Sequence, residues 1–349
     1  MQFTHDWLPQ RVRFATGGAA EAVAEEVRRL GASRVMAVAS DATRAQPVLA
    51  GVPVEVLHTE VAMHVPVEVA ERAREVAATS EVDALVCVGG GSTTGLAKAV
   101  ALTTGLPIVA VPTTYAGSEA TDVWGLTEHG RKTTGADPRV LPRVIVYDAG
   151  LMLTLPVPTS VASGLNALAH CVDSMWAQRA DPIDQALALE GIRALFDGLP
   201  RVVEEPMEVA GRERTLYGAY LAAVAFASAG SGLHHKICHV LGGMFGLPHA
   251  ETHAVVLPHV LAFNAPAVPE LERRMADAMD ARTALEGLLG LGDESGAPRS
   301  LRDLGLGVDD VPKAVGPIVD AAPPSNPRPV AADDVEELLR AAWEGKEPT

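Results

Sequence analysis

Residues Ala84–Val88 (ALVCV) read as a short apolar strand that runs directly into Gly89-Gly90-Gly91-Ser92, and a helical stretch opens near Thr93 and continues to about Thr104. No other stretch constrains the fold as much, because a strand, a glycine turn and a helix in that order make one half of a strand–helix–strand unit. Three glycines let backbone N–H groups approach a phosphate closely, and a helix N-terminus adds a dipole that favours the anion. The same four residues also read as a plain tight turn.

The surrounding sequence repeats the alternation. Gly18–Leu30 has apolar residues at helical spacing and Gly31 as a stop, Arg34–Ala39 (RVMAVA) reads as a buried strand, and Val54–Leu57 reads as a weaker one. Val65–Ala78 resumes the helical period, and Leu106–Val111 (LPIVAV) is a further strand from whose end Pro112–Ser118 (PTTYAGS) emerges. This order predicts a parallel sheet covered on both faces, with ligands at the strand ends. Two polar or glycine-rich loops at neighbouring strand ends predict a dinucleotide site. Asp41, just after the Arg34–Ala39 strand, is placed either to accept hydrogen bonds from an adenosine ribose, repelling a 2′-phosphate, or to cap the helix that follows. His129-Gly130 suggests a hairpin turn, and Arg143–Tyr147 a last strand.

Beyond Pro158 the β-type alternation disappears, and the domain boundary falls near Leu155–Thr159. Helical patterns cover Val161–Gln178, Asp181–Leu199, Gly211–Ala229, His234–Gly242, a run around Leu261, and Val335–Trp343, with Asp333 and Asp334 as caps of the last. Gly287–Val311 reads as mobile helix and loop. Six of the eleven histidines lie between Ser231 and His259. His235 and His239 share a helix face, and His249 opens a second helix after Gly-Gly and Leu-Pro. Asn166 and His170 also share a helix face. Imidazoles buried without partners would cost several kcal/mol, roughly, so they are expected to meet one another, water or a ligand. His253 and His259 stand equally as ligand-facing or core residues, and His234 falls off the shared face.

Composition narrows the class. The formal net charge of -16 excludes a nucleic-acid or anionic-membrane partner that needs a basic face. Cys87, Cys171 and Cys238 sit in apolar contexts, as buried free thiols of a reducing compartment. No signal-like segment or membrane-length apolar run occurs, which predicts a cytoplasmic enzyme.

GGGS, PTT with AGS, NALxH, GLxHxxxHxLGG and PH, in this order across nearly the whole chain, resemble the iron-containing alcohol dehydrogenase superfamily. SGLNALAHCVDS, GLHHKICHVLGG and NPRPV at Asn326–Val330 resemble its maleylacetate reductase branch. The resemblance implies an α/β N-terminal Rossmann-like parallel-sheet domain (1–157) and an all-α C-terminal domain (158–349), a dehydroquinate synthase-like architecture with the reaction cleft between them. It implies NAD(P)H-dependent reduction of the enone of maleylacetate, a small dicarboxylate, to 3-oxoadipate in the breakdown of aromatic compounds, and a homodimer. The alternatives are a metal-dependent alcohol dehydrogenase of the same superfamily and a dehydroquinate synthase-like lyase.

Carried onto this chain, the resemblance assigns Asp41 to the ribose, Gly90, Gly91 and Ser92 to the pyrophosphate, and Thr113, Thr114 and Ser118 to the hydroxyl-lined loop, with Lys132 a further contact. NADH is the expected cofactor, with NADPH possible. The family's metal ligands, an Asp and three His, fall on Asn166, His170, His235 and His249, while His239 matches a non-ligand. Asn166 is a neutral amide where the cation would have a carboxylate, so no metal is expected. His239 and His249 are then the catalytic pair, Asn166, His170 and His235 shape the substrate pocket, and protonated histidines, Lys236, Arg328 and helix N-termini supply positive potential for a dianion.

Overall fold

The computed structural model describes residues 2–128 and 131–348. The chain divides into two compact units, 7–155, and 156–348 together with the leading residues 2–6.

The first unit contains β1 (Arg11–Phe14), α1 (Ala19–Arg29), β2 (Val35–Val38), α2 (Ala42–Val48), β3 (Val54–His58), α3 (Val67–Thr79), β4 (Ala84–Gly89), α4 (Gly91–Thr104), β5 (Ile108–Pro112), β6 (Val123–Glu128), β7 (Arg131–Ala136), β8 (Val144–Tyr147) and α5 (Ala149–Met152). Six strands form one sheet in the order β1-β8-β5-β4-β2-β3, and every pairing in it is parallel. The period-2 rule accounts for the two-sided cover. Val35, Ala37, Val86 and Val109 face one core with α1 and α2, while Met36, Val38, Leu85 and Ile108 face the other with α3 and α4.

Every strand expected from the sequence is present. β1 is an addition: Arg11-Val12-Arg13-Phe14 carries two arginines, and only its position beside β8 makes it an edge strand. β6 and β7 form the expected antiparallel hairpin, registered from Val123 opposite Ala136 to Glu128 opposite Arg131. Its His129-Gly130 turn lies outside the described residues.

The second unit is helical: α6 (Val157–Ser174), α7 (Pro182–Glu204), α8 (Val209–Ala229), α9 (Leu233–Phe245), α10 (His249–Asn264), α11 (Pro269–Met279), α12 (Ala284–Ser295), α13 (Val311–Ala321) and α14 (Ala332–Glu344). α11 and α13 are additions to the helices expected from the sequence. The stretch read as mobile helix and loop instead forms α12 and a following turn whose Leu301 and Leu306 are buried in the core of α9, α10, α13 and α14. From Ser160 to Ser174 every residue of α6 is buried, so its polar side chains point into protein on all sides. Against it α7 and α8 pack at glycine contacts, Gly191 and Gly198 on one helix facing Gly218 and Thr215 on the other. Among the described residues no single helix is long and apolar enough to cross a membrane.

Candidate active site

The polar centre of the helical unit is built where α8 gives way to α9. Gly230 takes a positive φ of 90°, and the two helices meet at 97°. Gly232 then passes so close to Asp173 that a Cβ there would run into the carboxylate, so only glycine fits. Asp173 Oδ2 accepts the N–H of Gly232 at 2.9 Å and of His235 at 3.3 Å, satisfying donors at the start of α9. The same oxygen lies 2.7 Å from His235 Nδ1. A carboxylate at that oxygen accepts from Nδ1–H, which leaves Nε2 as the acceptor nitrogen, and among the described residues Nε2 is buried without a hydrogen-bond partner. Burial pushes the Asp173 carboxyl up to about 7, with the N–H groups of His235, Gly232 and His234 drawing it back.

Around this pair the rings are contiguous. His170 stacks on His235 at 5.0 Å and 15°, with Phe226 flanking both. His253 lies 4.8 Å from His235, and its Nδ1 is 2.8 Å from His234 Nε2. His249 is 4.4 Å from His253, and His239 is 6.1 Å from His235 and 6.4 Å from His249. The cluster grades outward, from buried His170, His234, His235 and His253 through half-buried His239 to exposed His249 at the start of α10. His234 is therefore inside the cluster, contrary to its placement off the shared face. Helical phase alone misses it because α9 is packed on more than one side. No ring contact ties His259 to this group among the described residues; it lines a separate small cavity with Leu165, Leu288 and Arg299.

Burial first, then mutual repulsion, holds these rings neutral. His170 is lowered to about 4 and His234 to about 3, and His235 and His253 are well below the ordinary imidazole value. The expectation that protonated histidines supply positive potential is thereby corrected for the buried four: dry protein disfavours the imidazolium. Arg328, another expected source, pairs with Asp334 at 2.8 Å and lies over Phe263. Among the described residues Asn166 Oδ1, His170 Nδ1, His235 Nε2 and His253 Nε2 are all buried without hydrogen-bond partners. Each such atom costs roughly 1–3 kcal/mol unless a guest engages it.

The other expected site residues lie in the sheet unit, at the ends of β4 and β5. Gly90 precedes α4 and its carbonyl accepts the N–H of Thr93 and Thr94. A Cβ on Gly90 would meet the Thr114 methyl at 2.9 Å, and one on Gly91 would meet Ala116 at 3.5 Å, so the glycine turn and the Thr113–Ser118 loop touch. Thr113 N–H bonds Gly89 O at 3.0 Å. Gly90, Gly91, Ser92, Thr113, Thr114 and Ser118 thus form one partly buried patch. Asp41 does cap α2, accepting Arg44 N–H at 3.1 Å, and is exposed. Lys132 is in β7, and its side chain lies outside the described residues. Two residues central to these sites carry no sequence signal of their own: Asp173, visible only as the residue three beyond His170, and Lys98, buried on α4.

The family model described as iron-containing alcohol dehydrogenase matches residues 9–149, and that for the C-terminal region of the Fe-containing alcohol dehydrogenase family matches 160–343. This overturns the expectation that no metal is required. Asn166 brings no charge, but the buried Asp173 carboxylate stands one hydrogen bond behind His235 and supplies an anion to the cluster. Neutral imidazoles, an unpartnered amide oxygen and a ring oriented by a carboxylate suit a borderline divalent cation, so these residues fit one. A maleylacetate reductase of Rhizobium sp. is 44% identical over 355 residues, covering 99% of each chain. The solved structure of maleylacetate reductase from Rhizobium sp. matches at a TM-score of 0.93 and 42% identity, covering 100% of each chain. An iron-containing alcohol dehydrogenase from Corynebacterium glutamicum matches at a TM-score of 0.98 and 57% identity, covering 100% of this chain and 98% of that one. The chain belongs to the iron-containing alcohol dehydrogenase family.

Proposed function

We propose that the protein is a maleylacetate reductase, using NADH to reduce the enone double bond of maleylacetate to 3-oxoadipate. The observation that carries this reading is the 40–44% identity, over essentially the full chain, to proteins named maleylacetate reductase. In this reading residues 1–157 bind the dinucleotide and 158–349 carry the chemistry. Gly90, Gly91 and Ser92 receive the pyrophosphate at the start of α4, and Thr113, Thr114 and Ser118 line its other side. Asp41 favours a free ribose 2′-hydroxyl and hence NADH over NADPH, and Lys132 is a further contact.

Hydride from nicotinamide C4 attacks the alkene carbon β to the ketone, negative charge develops on the ketone oxygen, and a proton is delivered to the α carbon. His239 and His249, at the accessible end of the ring cluster, hold and deliver that proton. Asn166, His170 and His235 shape the pocket and, with their buried unpartnered Oδ1, Nδ1 and Nε2 atoms, are the residues that would hold the metal. When bound, a divalent metal supplies Lewis-acid polarisation of a carbonyl oxygen. The enzyme is read as a cytoplasmic homodimer, on its free buried cysteines and on the prevalence of two-fold oligomers.

The 57% identity to an alcohol dehydrogenase favours a second reading, reduction of a simple aldehyde or ketone by the same family. NADH oxidation measured with maleylacetate and with a panel of simple aldehydes separates the two. Turnover of maleylacetate far above every aldehyde is expected; the reverse ranking overturns the assignment. Stoichiometric NADH loss also distinguishes both from a lyase that only borrows the cofactor.

A further inference from the structure

Lys98, in the second turn of α4, is fully buried. Its ammonium donates to Ser118 O at 2.6 Å, Thr121 O at 2.8 Å, Thr121 Oγ1 at 3.1 Å and Val123 O at 2.8 Å. These acceptors all belong to the segment that leaves the Thr113–Ser118 loop and enters β6. Within the segment Ser118 O also accepts the Thr121 N–H at 3.3 Å and the Thr121 hydroxyl at 3.2 Å, and the buried lysine has these oxygens to replace its water. No carboxylate closes a salt bridge on Lys98 among the described residues. Glu119, next in the segment, takes its hydrogen bond from the Tyr147 hydroxyl at 2.8 Å, and its carbonyl accepts from Gln10 at 2.8 Å.

Stability alone is a weak reason for this arrangement, because an apolar side chain of similar volume fills a core position without the cost of burying a charge. The arrangement does join two things. The N-terminus of α4 is the glycine turn that touches Thr114, and one side chain further along the same helix grips the far end of the Thr114 loop. The two halves of the patch are held together at both ends of the loop.

We infer that Lys98 is a positioning residue for the dinucleotide, fixing the Thr113–Ser118 loop at the spacing from Gly90–Ser92 that a pyrophosphate requires. This rests on the reading of those two loops as the cofactor site. Lys98 does not touch the cofactor. It acts through the backbone of Ser118, Thr121 and Val123.

The test uses the full-length enzyme with Lys98→Met, Thr121→Val and Thr114→Val, reading NADH affinity by fluorescence, KM for NADH, kcat at saturating NADH, and thermal midpoint. Lys98→Met is expected to raise Kd and KM for NADH by about 10- to 100-fold while kcat at saturation stays within about twofold, since misplacement of binding groups is felt mainly in cofactor capture. A merely structural lysine would lower the midpoint and the fraction of active enzyme with KM for NADH unchanged, and that result overturns the inference. Should Lys98→Met not fold, Thr121→Val, which removes one acceptor without changing volume, must still weaken NADH binding; wild-type affinity there also overturns it. Thr114→Val separates the failures. If it leaves NADH affinity unchanged, the cofactor reading of the loop falls; if it weakens NADH while the Lys98 and Thr121 variants do not, the positioning role alone falls.

Discussion

Asp173 Oδ2 lies 2.7 Å from His235 Nδ1 and also accepts the N–H of Gly232 at 2.9 Å, so one carboxylate sets both the tautomer of a ring and the start of α9. The metal-binding reading of the cluster depends on this orientation. In Asp173→Asn the amide can present an N–H to Nδ1, driving the ring proton to Nε2 and blocking the lone pair. Metal retained after dialysis against graded chelator should then fall by about 10- to 100-fold in affinity. Retention equal to the wild type, in a variant with an unchanged helical circular dichroism spectrum, would remove Asp173 from that role.

His239 and His249 sit at the accessible end of the cluster, 6.4 Å apart between ring centres. His239→Ala and His249→Ala are each expected to lower kcat by about 10²- to 10⁴-fold, the range for loss of a proton-transfer group. NADH affinity should be unchanged in both, because the loops proposed to bind the cofactor lie in the other unit. Steady-state kinetics with a parallel NADH titration decide it, and near wild-type turnover in either variant excludes that residue.

His259 provides a pH dependence outside the cluster. Burial lowers it to about 4, against about 6.5 for an unfolded imidazole. Between these values the unfolded chain binds the extra proton, so the stability associated with neutral His259 is complete above about pH 6.5 and is lost as pH falls through about 4. The full difference is roughly 3 kcal/mol. His259→Gln should flatten the acid limb of a denaturation series by about that amount relative to wild type; identical pH slopes would show that His259 does not contribute.

Gly198 tests the packing that holds α6 in place. A helical Gly→Ala change ordinarily gains about 1 kcal/mol, but a Cβ here would meet Thr215 N at 2.7 Å and Thr215 Oγ1 at 2.5 Å. The backbone atom cannot swing aside, and overpacking costs about 1–3 kcal/mol. Gly198→Ala should therefore lower the denaturant midpoint, whereas Gly290→Ala on α12, with nothing within 4 Å, should raise it slightly. A Gly198→Ala protein as stable as wild type would mean that α7 and α8 separate freely.

Much of this was legible in the residues themselves. Ala84–Val88, Arg34–Ala39 and Leu106–Val111 announce a covered parallel sheet, because residues buried on both faces must be apolar without alternation, and the helical patterns beyond Pro158 announce a second unit of different construction. β1 escaped because an edge strand with one neighbour need not be apolar. α11 and α13 escaped because their amphipathic patterns lie among prolines and glycines that also suit loops.

The sequence by itself determined the fold class, the family, the glycine turn and hydroxyl loop, and the shared helix faces of Asn166 with His170 and of His235 with His239, since these follow from periodicity and from motifs a few residues long. Only the tertiary structure decided that Asp173 stands behind His235, that His234 and His253 belong to the cluster, that the buried rings are neutral, and that Lys98 grips the loop beyond Ser118. Those facts depend on which faces are dry and on groups brought together from distant positions, Asp173 and His235 being 62 residues apart. Neither desolvation nor long-range pairing has a local signature in the chain.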